Sequence, residues 1–188
     1  MEAFLISTLL VAIAEIGDKT QLLALVLAVR FRRPVPIVLG IFVSTVLNHA
    51  AAGVAGSWVA SLLGPEGLRW TVGILFLAMA GWALVPDRID DEDAAPARRY
   101  GPFLATLIGF FLAEMGDKTQ IATVALAARY HPLWAVIVGT TVGMMAANVP
   151  AVLLGHFAGH RIRVEWVRYA AAAFFAALGI ASLVMPPG

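Results

Sequence analysis

The chain is 188 residues long, 61% hydrophobic and only 13% charged, with a mean hydropathy of +0.86 and no cysteine. Soluble domains run at about 45–50% apolar and about a quarter charged, so this composition excludes a water-soluble enzyme and belongs to the lipid bilayer. The net charge of +1, with basic residues in short scattered clusters, excludes a nucleic-acid footprint; the missing cysteines exclude a disulfide frame, an iron–sulfur site or a thiolate cage, leaving oxygen and imidazole ligands.

Apolar stretches near the ~20 residues that cross ~30 Å of hydrocarbon fall at 3–29, 36–63, 69–86, 103–128, 132–155 and 168–186. Turn-forming or charged separators divide them: Arg30 to Pro34, Gly64 to Gly67, an acidic stretch from Asp87 to Arg99 ending at Gly101-Pro102, Tyr130-His131-Pro132, and His160 to Arg163. The first stretch lacks a basic leading segment, is too long for a secretory signal and contains Lys19, so it is expected to be a retained span. The expected fold is all-α: a polytopic membrane protein of six transmembrane helices.

Short-loop Lys and Arg residues stay cytoplasmic. The first, third and fifth loops carry Arg30, Arg32, Arg33, Arg88, Arg98, Arg99, Arg161, Arg163 and Arg168, against Arg69 and Arg129 on the other side. Both termini are therefore expected on the non-cytoplasmic side, in a bacterial inner membrane. The two remaining basic residues, Lys19 and Lys118, lie inside expected spans.

Shifting the chain against itself by 99 positions, without a gap, aligns Ala14-Glu15-Ile16-Gly17-Asp18-Lys19-Thr20-Gln21 with Ala113-Glu114-Met115-Gly116-Asp117-Lys118-Thr119-Gln120. It also matches Phe4 with Phe103, Arg30 with Arg129, Gly40 with Gly139, Gly56 with Gly155, Glu66 with Glu165 and Arg69 with Arg168. Roughly a quarter of the overlapped positions are identical, which marks a duplication. Residues 1–86 and 103–188 then form two three-helix repeats joined by an acidic cytoplasmic linker, 87–102. Because three is odd, the second repeat enters from the opposite side, giving the inverted plan of many secondary transporters, with a site near the midplane. Glu15 lies about 12 residues, or ~18 Å, into its span, and Glu114 comparably deep from the other face.

A charge at the bilayer centre costs at least ~2.5–3.5 kcal/mol, so two copies of Glu, Asp and Lys need compensation. On a continuous helix Glu15, Asp18 and Lys19 share a face by i,i+3 and i,i+4 spacing, as do Glu114, Asp117 and Lys118. Gly17 and Gly116 permit close helix approach or local unwinding that frees carbonyl oxygens. Four carboxylates and two lysines sum to −2, the charge one divalent cation neutralises, and hard oxygen donors suit Ca²⁺, Mn²⁺ or Mg²⁺ over Cu⁺ or Zn²⁺. Without the ion the crowded carboxylates would take up protons, so metal and protons compete for one set of groups. Thr20, Gln21, Thr119 and Gln120 could add neutral oxygens, Gln21 only if the helix breaks at Gly17.

Thr45, Asn48 and His49 share a face of the second span, and His49 aligns with Asn148, near which Met144 and Met145 offer softer donors that tip the preference toward Mn²⁺. His49 reads either as a helix–helix hydrogen bond or as a ligand or proton relay, and Asn48 and Asn148 lean structural.

The doubled E-x-G-D-K-T-Q, three spans per half and the acidic central stretch resemble the Gdt-type family of membrane cation exchangers, whose signature is E-x-G-D-[KR]-[TS]. The resemblance covers nearly the whole chain. It implies exchange of Mn²⁺ or Ca²⁺ for protons, in bacteria chiefly manganese export, with Glu15, Asp18, Glu114 and Asp117 as the cation site. From their own chemistry, Lys19, Lys118, Thr20, Thr119, Gln21, Gln120, His49, Asn48 and Asn148 are expected in supporting or proton-coupling roles. The metal would be cargo, not a cofactor, and the chain would be no enzyme; its partners are the cation, protons and lipid, not nucleic acid, and a homodimer stays open.

Blander readings stand beside these. A buried Glu–Lys pair can simply hold two helices together, but that needs no second carboxylate in both repeats. Gly139 and Gly143 mark close helix packing, the acidic run Asp87 to Asp93 a solvated tether, and Trp70, Trp134 and Trp166 interface anchors. His156 and His160, with Glu165, form a weaker metal candidate. A Ca²⁺/H⁺ antiporter is the nearest alternative. An intramembrane metal-dependent hydrolase lacks an arginine, serine or histidine beside the motif, and an exporter of cationic amino acids would need aromatic or amide recognition.

Overall fold

The computed structural model describes residues 1–85, 99–157 and 164–184. Among them are eight helices and no strand: α1 Glu2–Glu15, α2 Lys19–Phe31, α3 Pro34–Leu62, α4 Pro65–Trp82, α5 Pro102–Glu114, α6 Lys118–Arg129, α7 Leu133–Phe157 and α8 Val164–Val184. The expected tether from Asp87 to Asp93 with Arg88 and Arg98, as well as His160, Arg161 and Arg163, lie outside the described residues, as do the side chains of His156, Glu165, Trp166 and Arg168.

Eight helices replace six expected spans because the first and fourth are each divided. Gly17 and Gly116 take positive φ angles of 83° and 76°, conformations that a residue with a Cβ adopts only at a cost. Ile16 and Met115 are extended, so each helix stops after its glutamate and restarts after its aspartate. Helix starts elsewhere follow proline: Pro34, Pro65 and Pro102 occupy first turns, where a missing N–H costs nothing. Two helices, α3 and Leu133–Gly155 of α7, are long and apolar enough on their own to cross a bilayer.

Large apolar side chains face outward and polar ones inward. On α3, Leu39, Phe42, Leu47, Val54 and Trp58 are exposed, whereas Ser44, Thr45, Asn48 and His49 are buried. On α7, Val138, Val142 and Leu153 are exposed and Thr140, Thr141 and Asn148 buried. A surface this apolar is stable against lipid, and the buried polar groups mark an interior with work to do.

The long helices pack mainly across the two halves of the sequence: α7 lies against α1 and α2, and α3 against α5 and α6. The contacts recur at the same 99-residue shift as the sequence. A Cβ at Gly40 would lie 2.8 Å from the Phe103 carbonyl oxygen and 2.8 Å from Thr106 Cβ, while one at Gly139 would lie 2.7 Å from the Phe4 oxygen and 3.0 Å from Ser7 Cβ. Gly56 abuts the Val124 backbone as Gly155 abuts Leu25. Phe76 meets its own counterpart Phe175, ring centroids 6.3 Å apart, where α4 packs on α8. A residue touching its own equivalent, and pairs that swap partners, are what a two-fold relation between halves produces. The close approach at Gly139, and at Gly143, where a Cβ would fall 2.5 Å from the Thr8 oxygen, accords with tight packing.

Candidate cation site

The carboxylates that flank the two helix breaks are buried close together, while Met115 and Gly116 of the second break are exposed. At each break, the backbone is held by the motif itself: Asp18 N–H bonds the Glu15 carbonyl at 3.0 Å, and Asp117 N–H that of Glu114 at 3.1 Å. Gln21 Oε1 accepts from Gly17 N–H at 2.7 Å and Gln120 Oε1 from Gly116 N–H at 2.8 Å. Each glutamine thus reaches back over the first turn of its helix, much as a capping-box glutamine does, to satisfy an amide that the break left orphaned. Their amide nitrogens tie the breaks to the opposite long helices: Gln21 Nε2 donates to the Ala147 carbonyl at 3.1 Å, and Gln120 Nε2 to Asn48 Oδ1 at 3.4 Å. In this arrangement the glutamines hold the break open, and their carbonyl oxygens are already used.

The breaks overturn the expectation that Glu15, Asp18 and Lys19 line one continuous helical face. The glutamates end α1 and α5, while the lysines begin α2 and α6, so the i,i+4 relation does not exist. The lysines instead pair across the halves. Lys118 Nζ lies 2.8 Å from Asp18 Oδ2, and Lys19 Nζ lies 3.8 Å from Asp117 Oδ1. All four carboxylates are buried, and Glu15 is within electrostatic range of Glu114, Asp18 and Asp117. The same holds for Glu114 with Asp117, Asp18 and Lys19.

Hydroxyl and amide donors complete the glutamate surroundings. Glu15 Oε1 accepts from Thr20 Oγ1 and from Asn148 Nδ2, the latter at 3.1 Å, and Glu114 Oε2 accepts from Thr119 Oγ1 at 2.7 Å. The other oxygens, Glu15 Oε2 and Glu114 Oε1, are buried with no hydrogen-bond partner among the described residues, as is Asn148 Oδ1. Buried acceptors left bare are costly unless something positive arrives. Asn148 Nδ2 also lies 3.1 Å from the Met144 carbonyl oxygen and 3.2 Å from Met144 Sδ, so Glu15 and Met144 share one amide donor; Met145 instead packs against an apolar cluster.

Asn148, read as leaning structural, therefore contacts the acidic group directly, whereas Asn48 bonds the Phe111 carbonyl at 3.3 Å and Gln120. His49, its aligned counterpart, is fully buried, and neither ring nitrogen has a hydrogen-bond partner among the described residues. Ser44, also buried without such a partner, escaped the sequence reading because its aligned residue is Gly143, so no duplicated signal marks it. No three acidic or imidazole groups among the described residues converge as a ready-made metal cage; the ammonium groups stand on the aspartates.

A family model described as "Divalent cation/proton antiporter GDT1" matches residues 3–91 and 102–186. This chain belongs to the GDT1 family. That places it among membrane transporters and not among enzymes. A Vibrio cholerae protein named "Putative manganese exporter" is 49% identical over 183 residues, covering 97% of this chain and 90% of its own. A GDT1-like protein of Synechocystis is 30% identical over 89% of each chain, and the Saccharomyces cerevisiae "Divalent cation/proton antiporter GDT1" is 23% identical over 93% of this chain and 81% of its own. No solved structure matches.

Proposed function

We propose that this GDT1-family chain exports Mn²⁺ from the cytoplasm in exchange for protons, through one composite site made by both E-x-G-D-K-T-Q motifs. The observation that carries the reading is the crossed pairing of Lys118 with Asp18 and Lys19 with Asp117, which requires both motifs to share one interior location. Glu15, Asp18, Glu114 and Asp117 supply the charge. With both lysines counted, the site sums to −2, which one divalent cation or two protons neutralise. Competition for the same carboxylates is then the exchange, since the ion enters as protons leave.

The membrane arrangement follows from the same reading. The two halves are inverted three-helix repeats, 1–86 and 103–188, with the axis between them in the membrane plane, supported by the recurrence of the contacts at the 99-residue shift. α1 spans 14 residues, so Glu15 lies ~20 Å from its start, near the middle of the bilayer. The arginine bias puts both termini on the non-cytoplasmic side of a bacterial inner membrane.

Mn²⁺ is favoured over Ca²⁺ by the softer donor Met144, which shares the Asn148 amide with Glu15, and by the name of the Vibrio cholerae relative. Proteoliposomes holding a pH-sensitive dye test the proposal. External Mn²⁺ drives proton movement, Ca²⁺ drives less, Mg²⁺ least, and Glu15→Gln or Asp117→Asn abolishes the signal. Proton movement indifferent to the cation, or full transport by either variant, overturns it.

A further inference from the structure

We propose that Lys118, seconded by Lys19, is a tethered counter-cation that occupies the opposite half's aspartate until the transported ion displaces it, and so keeps the site's affinity low enough for release. This deepens the reading just given and rests on it.

Each lysine follows its own aspartate directly in sequence, yet it reaches for the aspartate of the other half. Adjacent side chains diverge where a helix begins, so each ammonium is free to reach across to the other half. The crossed arrangement makes both pairs part of the contact between the halves. Lys118 and Asp18 are nearly sealed from the surface, with side-chain exposures of 3% and 0%, and Nζ sits at hydrogen-bond distance from Oδ2. An ammonium placed there takes one lone pair of Oδ2 and offsets the aspartate's charge, so a divalent ion approaching the same carboxylate meets a like charge at close range.

Glu15 Oε2 and Glu114 Oε1 are buried and without a hydrogen-bond partner among the described residues, so they can receive an incoming ion without giving up a contact. An ion bound by the glutamates' bare oxygens must also push an ammonium from an aspartate. The two lysines are unequal. Lys19 is 24% exposed and 3.8 Å from its aspartate, a looser hold than that of Lys118. Displacement therefore begins at Lys19, and Lys118, closer to its aspartate and less screened by solvent, opposes the ion more strongly.

The test is equilibrium binding of Mn²⁺ to the full chain in nanodiscs, with free ion counted by electron paramagnetic resonance, alongside transport in proteoliposomes. Lys118→Gln removes the charge with little change in length; it is expected to bind Mn²⁺ about tenfold tighter or more while turnover falls by a similar factor, because one opposing charge within a few ångströms has gone. Lys118→Arg, which keeps the charge, recovers most of the turnover lost in Lys118→Gln. Lys19→Gln tightens binding less. Unchanged or weaker binding by a monodisperse Lys118→Gln, or an arginine variant indistinguishable from the glutamine one, overturns the proposal. Should Lys118→Gln fail to fold, Lys19→Gln decides it: unchanged or weaker binding there overturns it equally. A wild type that binds neither Mn²⁺ nor Ca²⁺ overturns the functional reading as well, whereas a transporting wild type with insensitive lysine variants overturns this inference alone.

Discussion

Asp18→Asn and Asp117→Asn remove the same atom type from equivalent positions, and the structure makes their consequences unequal. In the first, Lys118 loses a partner at 2.8 Å while its side chain is only 3% exposed. Removing one member of a buried ion pair costs about 3–5 kcal/mol, because the other charge is left without its compensation. In the second, Lys19 loses a partner at 3.8 Å and is already 24% exposed, so the loss is about 1 kcal/mol or less. Reversible unfolding by SDS titration from mixed micelles, with metal chelated and tryptophan fluorescence as the signal, reads both. Lys118→Gln combined with Asp18→Asn recovers most of the loss, since neither charge remains. Equal losses for the two aspartate variants, or a larger loss for Asp117→Asn, would refute the crossed and unequal pairing.

Gly116→Ala isolates the cost of the break: φ is +76° and no atom lies within 4 Å of the added Cβ, so the same titration should show a loss of about 1–2 kcal/mol from backbone conformation alone. A neutral result would mean the break is not left-handed there. Met144→Leu conserves volume and should cost less than about 1.5 kcal/mol of stability, yet competition binding should show the Mn²⁺ over Ca²⁺ preference reduced severalfold; an unchanged ratio removes the sulfur from the selectivity argument.

The duplication was readable because it survives as identical residues at one fixed shift, and the contacts of Gly40 with Phe103 and of Gly139 with Phe4 follow that shift. The possibility of unwinding at Gly17 and Gly116 was also readable, since glycine is the residue that accepts positive φ. What local pattern could not reveal was which way the lysines turn. The i,i+4 rule assumes one helix, and three residues between α1 and α2 remove that assumption, sending Lys19 toward Asp117. The division of labour between His49 and Asn148 was equally hidden: the alignment treats them as equivalent, while packing gives Asn148 a glutamate and leaves His49 with no hydrogen bond among the described residues. Gln21 and Gln120 looked like spare ligands until the orphaned glycine amides beside them were in view.

The account stands on both motifs forming one site, and the number of ions bound per chain tests that most directly. Titrating the purified chain with Mn²⁺ by equilibrium dialysis should give a single ion per chain, with all binding lost in either Glu15→Gln or Glu114→Gln alone. Two ions per chain, each variant losing one and keeping the other, would show two independent sites and contradict the composite site.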